Sequence, residues 1–218
     1  MDQANQANSV RERLVDAGVE LVRTEGSASL GLREIARRAG VSHGAPRRYF
    51  PTHHTLLSAI ARRGFTELAA RLAAAAEGAV TPREQLRGLA DAFLGYAGEH
   101  GGMFELMFRH DLLDSDAHAS DAGAPDRPRL RDSTLPLFAH LVELVTLDRA
   151  GRTDSGTGPS CDSAPPPALT AAALWTNLHG IAVLRASGSL QLALPGASEG
   201  PDPLVTAVLD AHLGRVGA

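Results

Sequence analysis

One stretch, residues 30–57 (LGLREIARRAGVSHGAPRRYFPTHHTLL), constrains the fold of this chain more than any other part of it. Apolar residues recur at helical spacing from Leu32 to Ala39, and Gly40 is placed to end that short helix. A tight turn follows, and Ser42 can cap a second short helix. Two short helices joined by a three- or four-residue turn containing Gly form a helix-turn-helix unit, which this stretch therefore predicts.

Further helices are predicted on both sides of this unit. Ser9 and Glu12 have the S-x-x-E spacing of a capping box at the start of a first helix, which stops at Gly26. After the unit, Thr52 is placed to cap a long helix that runs to Glu77. The three helices of this head are expected to close around one apolar core: Leu14, Leu21, Ile35, Val41 and Phe50. The long helix carries its own apolar face: Leu56, Leu57, Ile60, Ala61, Phe65, Leu68 and Leu72.

Charge is distributed unevenly along the chain. Between Arg33 and Arg63 there are seven Arg residues and a single acid, Glu34. Residues 1–72 carry 11 Arg and 7 acids, a net charge of +4, whereas residues 73–218 carry 10 Arg and 18 acids, a net charge of −8. A basic helix-turn-helix on an acidic body predicts a head that is oriented toward DNA, and it argues against nonspecific coating of nucleic acid.

The run REIARRAGVSHGAPRRYFPTHHTLL, with the helix before it, resembles the DNA-binding domain of the TetR family of bacterial transcriptional regulators. LWTNLHGIAVL (residues 174–184) and HGGMFELMF (residues 100–108) resemble the effector domain of a TetR subgroup with a Trp…His-Gly signature. The interpretation is an all-α fold of about nine to ten helices. The DNA-binding domain would span residues 1–51, a linking helix residues 52–77, and a helical effector-binding and dimerisation domain residues 78–218.

The recognition helix is predicted over residues 42–49, with its N-terminal residues facing base edges in the major groove. An Arg can read guanine with two hydrogen bonds, and an Ala methyl can meet a thymine methyl. Which Arg reads a base and which one holds a phosphate stays open. The predicted DNA-binding residues are Arg33, Ser42, His43, Gly44, Ala45, Arg47, Arg48, Tyr49 and His53.

Four positions in this unit break its usual pattern. Arg47, His53 and Gly31 stand where the family commonly has Tyr, Lys, and Ser or Thr. Arg47 would keep or strengthen phosphate affinity, His53 would make it pH-dependent, and Gly31 removes a hydroxyl. Pro46 lacks an N–H in the first turn and disfavours helical geometry at Ala45.

The body is predicted to contain about six more helices. They include residues 82–100, a helix that begins at residue 103 after a break at Gly101-Gly102, and residues 130–148, 168–186 and 203–216. Residues 113–128 are predicted to be a polar loop, and residues 150–167, which contain Cys161, a linker. The buried residues of the helix at 130–148 are expected to be Leu137, Phe138, Leu141 and Leu144.

A small-molecule pocket between helices should be mostly apolar with a few placed polar groups. The candidates are Phe93, Tyr96, Met103, Phe104, Met107, Phe108, Phe138, Trp175 and His179. Any helical core would use the same residue types, so simple packing is the alternative for each of them. His179 can donate a hydrogen bond to a ligand carbonyl or carboxylate, or it can bond a backbone carbonyl.

Several other classes of protein are not favoured. We find no nucleophile–base pair, metal motif or Gly-rich phosphate loop, so we expect no enzyme activity, no cofactor and no metal. His53 and His54 are adjacent, but neighbouring residues on a helix point about 100° apart, so this pair does not predict a metal site. No apolar run approaches the ~20 residues of a membrane span, the N-terminus lacks a signal peptide and Cys161 has no partner, which together predict a cytoplasmic protein.

The most consistent interpretation is a homodimeric transcriptional regulator that pairs through its last two helices. It would be a repressor released from an inverted-repeat DNA operator by a small lipophilic effector. The alternative is a helical interaction protein with a degenerate DNA-binding head, whose DNA affinity would be weak and indifferent to sequence.

Overall fold

The chain is almost entirely helical wherever its structure is described. The computed structural model describes residues 2–109, 113, 130–154, 164–194 and 202–215. Within these residues there are ten α-helices, a 3₁₀ turn and no strand. The helices are α1 (Asp2–Glu25), α2 (Leu32–Arg38), α3 (Ala45–Tyr49), α4 (His53–Ala76), α5 (Pro82–Glu99), α6 (Gly101–Phe108), α7 (Leu130–Asp154), α8 (Pro167–Ala186), α9 (Ser189–Ala193) and α10 (Pro203–Leu213). The predicted all-α fold is confirmed.

The first helix begins earlier than predicted. α1 starts at Asp2, so Ser9 lies inside the helix and the predicted capping box there is wrong. The residues before Ser9 include Gln and Ala, which are good helix formers, so the helix can extend to Asp2. α1 ends before Gly26, as predicted, and its inner face is buried: Leu14, Val15, Leu21 and Val22.

The turn after α2 is a Schellman motif, which confirms that Gly40 ends this helix. Gly40 has a φ of +65°, a conformation that residues with a Cβ rarely adopt. Its N–H donates to the Arg37 carbonyl at 3.2 Å, and the Val41 N–H donates to the Ala36 carbonyl at 3.0 Å. These bonds reverse the chain direction between the two helices.

The second helix of the unit is shorter than predicted. α3 begins at Ala45 with Gly44 at its N-cap, so the prediction that Ser42 caps it is wrong. A helix capped at Ser42 would need the Pro46 N–H for its first hydrogen bond, and Pro has none. Starting at Ala45 places Pro46 in the first turn, where the missing donor costs nothing. The Ser42 carbonyl instead accepts from the Ala45 N–H at 2.9 Å.

Thr52 caps α4 as predicted. The Thr55 N–H donates to Thr52 Oγ1 at 3.1 Å, and the Thr52 N–H donates to Thr55 Oγ1 at 3.2 Å. The predicted apolar face of α4 is buried throughout: Leu56, Leu57, Ile60, Ala61, Phe65, Leu68 and Leu72.

The chain divides into two compact units, Met1–Glu67 with His100–Thr134, and Leu68–Glu99 with Leu135–Ala218. α6 lies in the first unit, where it packs against α1. The break before α6 is at His100 (φ −124°, ψ 43°), not at Gly101-Gly102 as predicted, since both glycines are helical. The functional division at residues 51 and 77 stays a prediction.

In the second unit, α5 is held at its start by a capping box. The Glu84 N–H donates to Thr81 Oγ1 at 3.2 Å, and the Thr81 N–H donates to Glu84 Oε2 at 2.9 Å. The bonds that the Glu84 carboxylate accepts from the Thr81 backbone N–H, from the Thr81 side chain and from the Val80 N–H lower the pKa of this carboxyl. Pro82 occupies the first helical position, as predicted.

α7 is longer than predicted, and only part of its predicted buried set, Leu141 and Leu144, is buried. It continues to Asp154, so the first part of the predicted linker at 150–167 is helical, supported by the Asp148–Arg152 pair at 3.5 Å. Leu137 and Phe138 are only half-buried, because the buried face lies further along the helix: Leu141, Leu144, Val145 and Asp148. The predicted polar loop (apart from Leu113, which is buried) and Cys161 lie outside the described residues.

The two C-terminal helices are present with small differences, and α9 was not predicted. α10 ends at Leu213 and not at residue 216, because Gly214 follows with a φ of +81°. α8 has 20 residues, and an 18-residue window of it has a mean hydropathy of 1.2, so by length and composition alone it could cross a membrane. This is a weak indication, because a helix packed inside a protein passes the same test.

Candidate nucleic-acid interface

The helix-turn-helix presents most of the predicted DNA-binding residues to solvent. Exposed are Arg33, Ser42, His43, Gly44, Arg47 and Arg48, and half-buried are Ala45, Tyr49 and His53. Pro46 and Phe50 are buried, which anchors α3 to the core from the side opposite the exposed arginines. The Arg11 guanidinium lies over the Phe50 ring, 5.1 Å from its centroid, and this cation–π contact joins α1 to the end of α3.

The arginine cluster, the seven Arg residues from Arg33 to Arg63, carries less unpaired positive charge than the sequence suggests. Three of its seven members are held by carboxylates, in the pairs Arg37–Glu34, Arg38–Glu34, Arg38–Glu25, Arg63–Glu12 and Arg63–Asp16. Within the described part of the chain, Arg33, Arg47 and Arg48 form no ion pair. The positive charge that can meet phosphates or bases is therefore concentrated on α3 and at the start of α2.

Glu34 is the acid that neutralises this part of the cluster. Its carboxylate accepts from Arg37 Nη2 at 2.6 Å, from Arg37 Nε at 2.9 Å and from Arg38 Nε at 3.0 Å. The hydrogen bonds from Arg37 and Arg38 lower the pKa of Glu34 from 4.5 to about 2. The two bonds from Arg37 form a bidentate pair of the kind that orients a guanidinium.

We expect Glu34→Gln to make the acid side of the stability curve shallower. Because the folded-state pKa of Glu34 is about 2 and its ordinary value is 4.5, the pairs stabilise the folded protein above about pH 4.5. That contribution is lost as the pH falls toward 2. Urea denaturation at pH 5, 4 and 3 measures the slope, and equal slopes in both proteins would show that these pairs contribute nothing.

His53 faces the protein as well as the solvent. Its Nε2 lies 2.7 Å from the carbonyl oxygen of Leu30, just before α2. The adjacent His54 is exposed. In the residues that the structure describes, no three His, Cys, Asp or Glu side chains lie close enough together to hold a metal ion.

The predicted pocket residues fall into two separate groups. In the second unit, the rings of Phe93 and Trp175 are 5.1 Å apart, and Arg71 lies over the fully buried Tyr96 ring at 5.8 Å. His179 is half-buried, and this burial lowers the pKa of its imidazole. Phe138 belongs to the same unit.

The other group lies in the first unit. Met103, Phe104 and Met107 are buried, and Phe108 is half-buried. Phe108 lies 4.8 Å from Phe104 and 5.7 Å from Phe65, measured between ring centroids. These contacts are typical of a packed core. They fit simple core packing of these residues as well as they fit a ligand pocket.

A groove that the sequence analysis missed runs along α10. It has a volume of about 640 Å³ and is lined by Pro203, Thr206, Ala207, Asp210, Ala211 and Arg215. The spacing of these residues, three and four apart, is the signal that could have identified one open face of a helix. α5 supports the groove, because Arg83 Nη2 binds Asp210 Oδ1 at 2.6 Å and Arg87 Nη2 binds Thr206 Oγ1 at 2.7 Å. None of the predicted pocket residues lines it.

Most of the chain matches known protein families. Residues 14–60 match the family described as "Bacterial regulatory proteins, tetR family". Residues 86–212 match the one described as "Tetracyclin repressor-like, C-terminal domain". A curated relative, HTH-type transcriptional regulator BetI of Rhizobium meliloti (strain 1021), is 37% identical over 79 residues, which are 36% of this chain. The match spans only 39% of that protein.

Solved structures share the fold over nearly the whole chain. A protein with unknown function from Rhodococcus sp. RHA1 is 27% identical, with a TM-score of 0.66 over 94% of this chain and 93% of that one. The transcriptional regulator FadR from Bacillus subtilis, solved in complex with stearoyl-CoA, is 14% identical, with a TM-score of 0.61 over 94% of this chain and 99% of that one. At that identity the second likeness concerns the fold alone.

Proposed function

Because this chain belongs to the TetR family of bacterial regulatory proteins, we propose that it is a sequence-specific DNA-binding transcriptional regulator. The observation that carries the proposal is the exposed pair Arg47 and Arg48 on α3, neither of which forms an ion pair within the described residues. α3 follows a helix and a tight turn in the order of a helix-turn-helix. The protein would act in the cytoplasm.

The regulator would work as a homodimer on an inverted-repeat operator. α3 has only five residues, so one copy contacts too few bases for useful specificity. Two copies related by a twofold axis would read two half-sites. α8 and α10 would form the interface, and α8 exposes apolar side chains suited to it: Leu169, Val183 and Leu184.

A small lipophilic effector would release the repressor from its operator. The FadR structure was solved with stearoyl-CoA, which makes a long acyl chain one reasonable class of ligand to test here. α4 is continuous across the boundary between the two units, at Glu67 and Leu68, so it can carry a movement from the effector domain to the DNA-binding head. A ligand that prefers one conformation would shift the operator affinity through this helix.

Binding to DNA from upstream of the gene for this protein tests the proposal. The duplex is titrated near physiological salt against a scrambled duplex of the same length. A specific regulator should prefer the native sequence by about 1,000-fold or more, and footprinting then locates the operator. Equal, salt-sensitive binding to both duplexes, repeated with genomic fragments selected for binding, would favour the alternative of a helical interaction protein with a degenerate head.

Trp175 provides a test for the effector site. Since its ring packs 5.1 Å from Phe93, a ligand that enters between α5 and α8 should change its fluorescence. We expect stearoyl-CoA, or a shorter acyl-CoA, to give a saturable change in the emission of Trp175. Phe93→Leu should alter that change, whereas replacing the exposed Leu192 should leave it as it is. Saturable release of DNA with no change in Trp175 emission would place the effector site elsewhere.

A further inference from the structure

We propose that His53 is a positioning residue, whose bond to the Leu30 carbonyl holds the start of α2 in place of a capping side chain at Gly31. This inference rests on the proposed DNA-binding function, because it concerns how α3 is held for the operator. It assigns His53 a role different from the phosphate contact predicted from the sequence.

The first step rests on the geometry of the hydrogen bond between His53 and the Leu30 carbonyl. His53 Nε2 and the Leu30 oxygen are 2.7 Å apart, a normal hydrogen-bond distance, and the contact is partly buried. A carbonyl oxygen can only accept, so Nε2 must carry the hydrogen. Leu30 is itself buried, with 4% of its surface exposed, so its backbone is already fixed against the core. The bond therefore ties the first residue of α4 to a fixed point just before α2.

The second step concerns what is missing at the start of α2. Gly31 is the N-cap, with extended backbone (φ −80°, ψ 137°), and no side chain caps the helix there. A serine would fit, because a Cβ at this position would meet no atom within 4 Å. A Ser oxygen at an N-cap accepts a hydrogen bond from the second or third helical N–H. Without it, the entry to α2 is held from outside, and His53 is the side chain that reaches it.

The third step concerns which ring nitrogen is left for a phosphate. A neutral imidazole has one N–H, and here the Leu30 carbonyl uses it. In this neutral form the other ring nitrogen is an acceptor and cannot bind a phosphate oxygen, whereas a protonated ring would carry a second N–H at Nδ1. Because the Gly40 turn joins α2 to α3, fixing the start of α2 also fixes where α3 presents Arg47 and Arg48.

The test uses the whole chain and four variants: His53→Ala, His53→Gln, the double variant Gly31→Ser/His53→Ala, and His54→Ala as the matched control. Hydrogen exchange of the α2 amides is measured without DNA. Affinities for the footprinted operator and for a scrambled duplex are measured by fluorescence anisotropy from low to high salt. Far-ultraviolet circular dichroism checks that each variant is folded.

We expect His53→Ala to speed exchange at the Ile35 amide, which bonds the Gly31 carbonyl, and to weaken operator binding about fivefold. The slope of log affinity against log salt should stay unchanged, since no phosphate contact is lost. His53→Gln, which keeps an N–H donor, and the Gly31→Ser double variant should both recover most of the affinity. His54→Ala should behave like the wild type.

Other results overturn the inference. If His53→Ala lowers the salt slope by about 1 on both duplexes and leaves α2 exchange unchanged, His53 is a phosphate contact. If neither exchange nor affinity changes, the bond has no positioning role. If the wild type shows no specific DNA binding at all, the proposed function fails, and the exchange data alone still decide whether His53 holds α2.

Discussion

Replacing Arg47 and Arg48 together with alanine is expected to weaken operator binding about a hundredfold while leaving the oligomeric state unchanged. Both side chains are exposed on α3, and within the described residues neither is held by a carboxylate. A good bidentate contact to a base contributes about 1–3 kcal/mol, so losing two near the lower end, about 1.4 kcal/mol each, gives this factor. Each single variant should lose at least ~1 kcal/mol.

Salt dependence separates the two possible roles of these arginines. If one of them contacts a phosphate, its alanine variant should bind all sequences more weakly and lower the salt slope by about 1. If it reads a base, the loss should be larger on the operator than on the scrambled duplex. Anisotropy titrations at several salt concentrations measure both quantities, and size-exclusion chromatography checks that the oligomeric state is unchanged.

Arg37→Ala is the matched control, because this arginine lies in the same unit but is already paired with Glu34. Its removal should change operator affinity much less than the loss of Arg47 or Arg48. Wild-type affinity in both single variants would show that α3 is not the helix that reads the operator, and the recognition surface would have to be sought elsewhere on the head.

The DNA-binding head was largely predictable because its signals are local. The apolar spacing of α1, α2 and α4, the Gly40 turn and the Thr52 cap each depend on residues fewer than a dozen apart. The structure confirms them, since a helix face or a cap is determined by neighbours three and four positions away.

Helix starts were harder to predict, because several Ser and Thr residues compete for each cap. Ser9 and Ser42 have acceptable cap chemistry, yet α1 extends past the first and Pro46 moves α3 away from the second. The capping box at Thr81 and Glu84 was missed although its T-x-x-E spacing is present. A cap motif indicates that a helix can begin at a residue, and the helical preference of the flanking residues determines whether it does.

The Glu34 pairs with Arg37 and Arg38 have helical i+3 and i+4 spacing, but the other ion pairs of the arginine cluster could not be predicted, since they join residues distant in the sequence. Arg63 is bound by Glu12 and Asp16 of α1, and Arg38 by Glu25. Counting charges between residues 33 and 63 therefore overstated the free positive charge on the surface. The bond from His53 to Leu30 belongs to the same class, because its partners are 23 positions apart.

Gly102→Ala is expected to lower the free energy of unfolding by about 2 kcal/mol, although Ala is the better helix former. A Cβ at Gly102 would lie 2.7 Å from the Val22 carbonyl oxygen and 3.1 Å from the Gly26 Cα. Both atoms belong to the backbone, so no side chain can rotate away, and α6 must move off the end of α1. Denaturation in urea, followed by circular dichroism, measures the change.

Gly101→Ala isolates the contact from the helical preference. It lies in the same first turn of α6, and a Cβ there would meet no atom within 4 Å. The two variants gain the same intrinsic preference for helix, so the difference between them reports the packing of α6 on α1 alone. Gly101→Ala should be neutral or slightly stabilising. If Gly102→Ala were equally well tolerated, the close approach of α6 to α1 would be wrong, and the two glycines would serve only to begin a helix after His100.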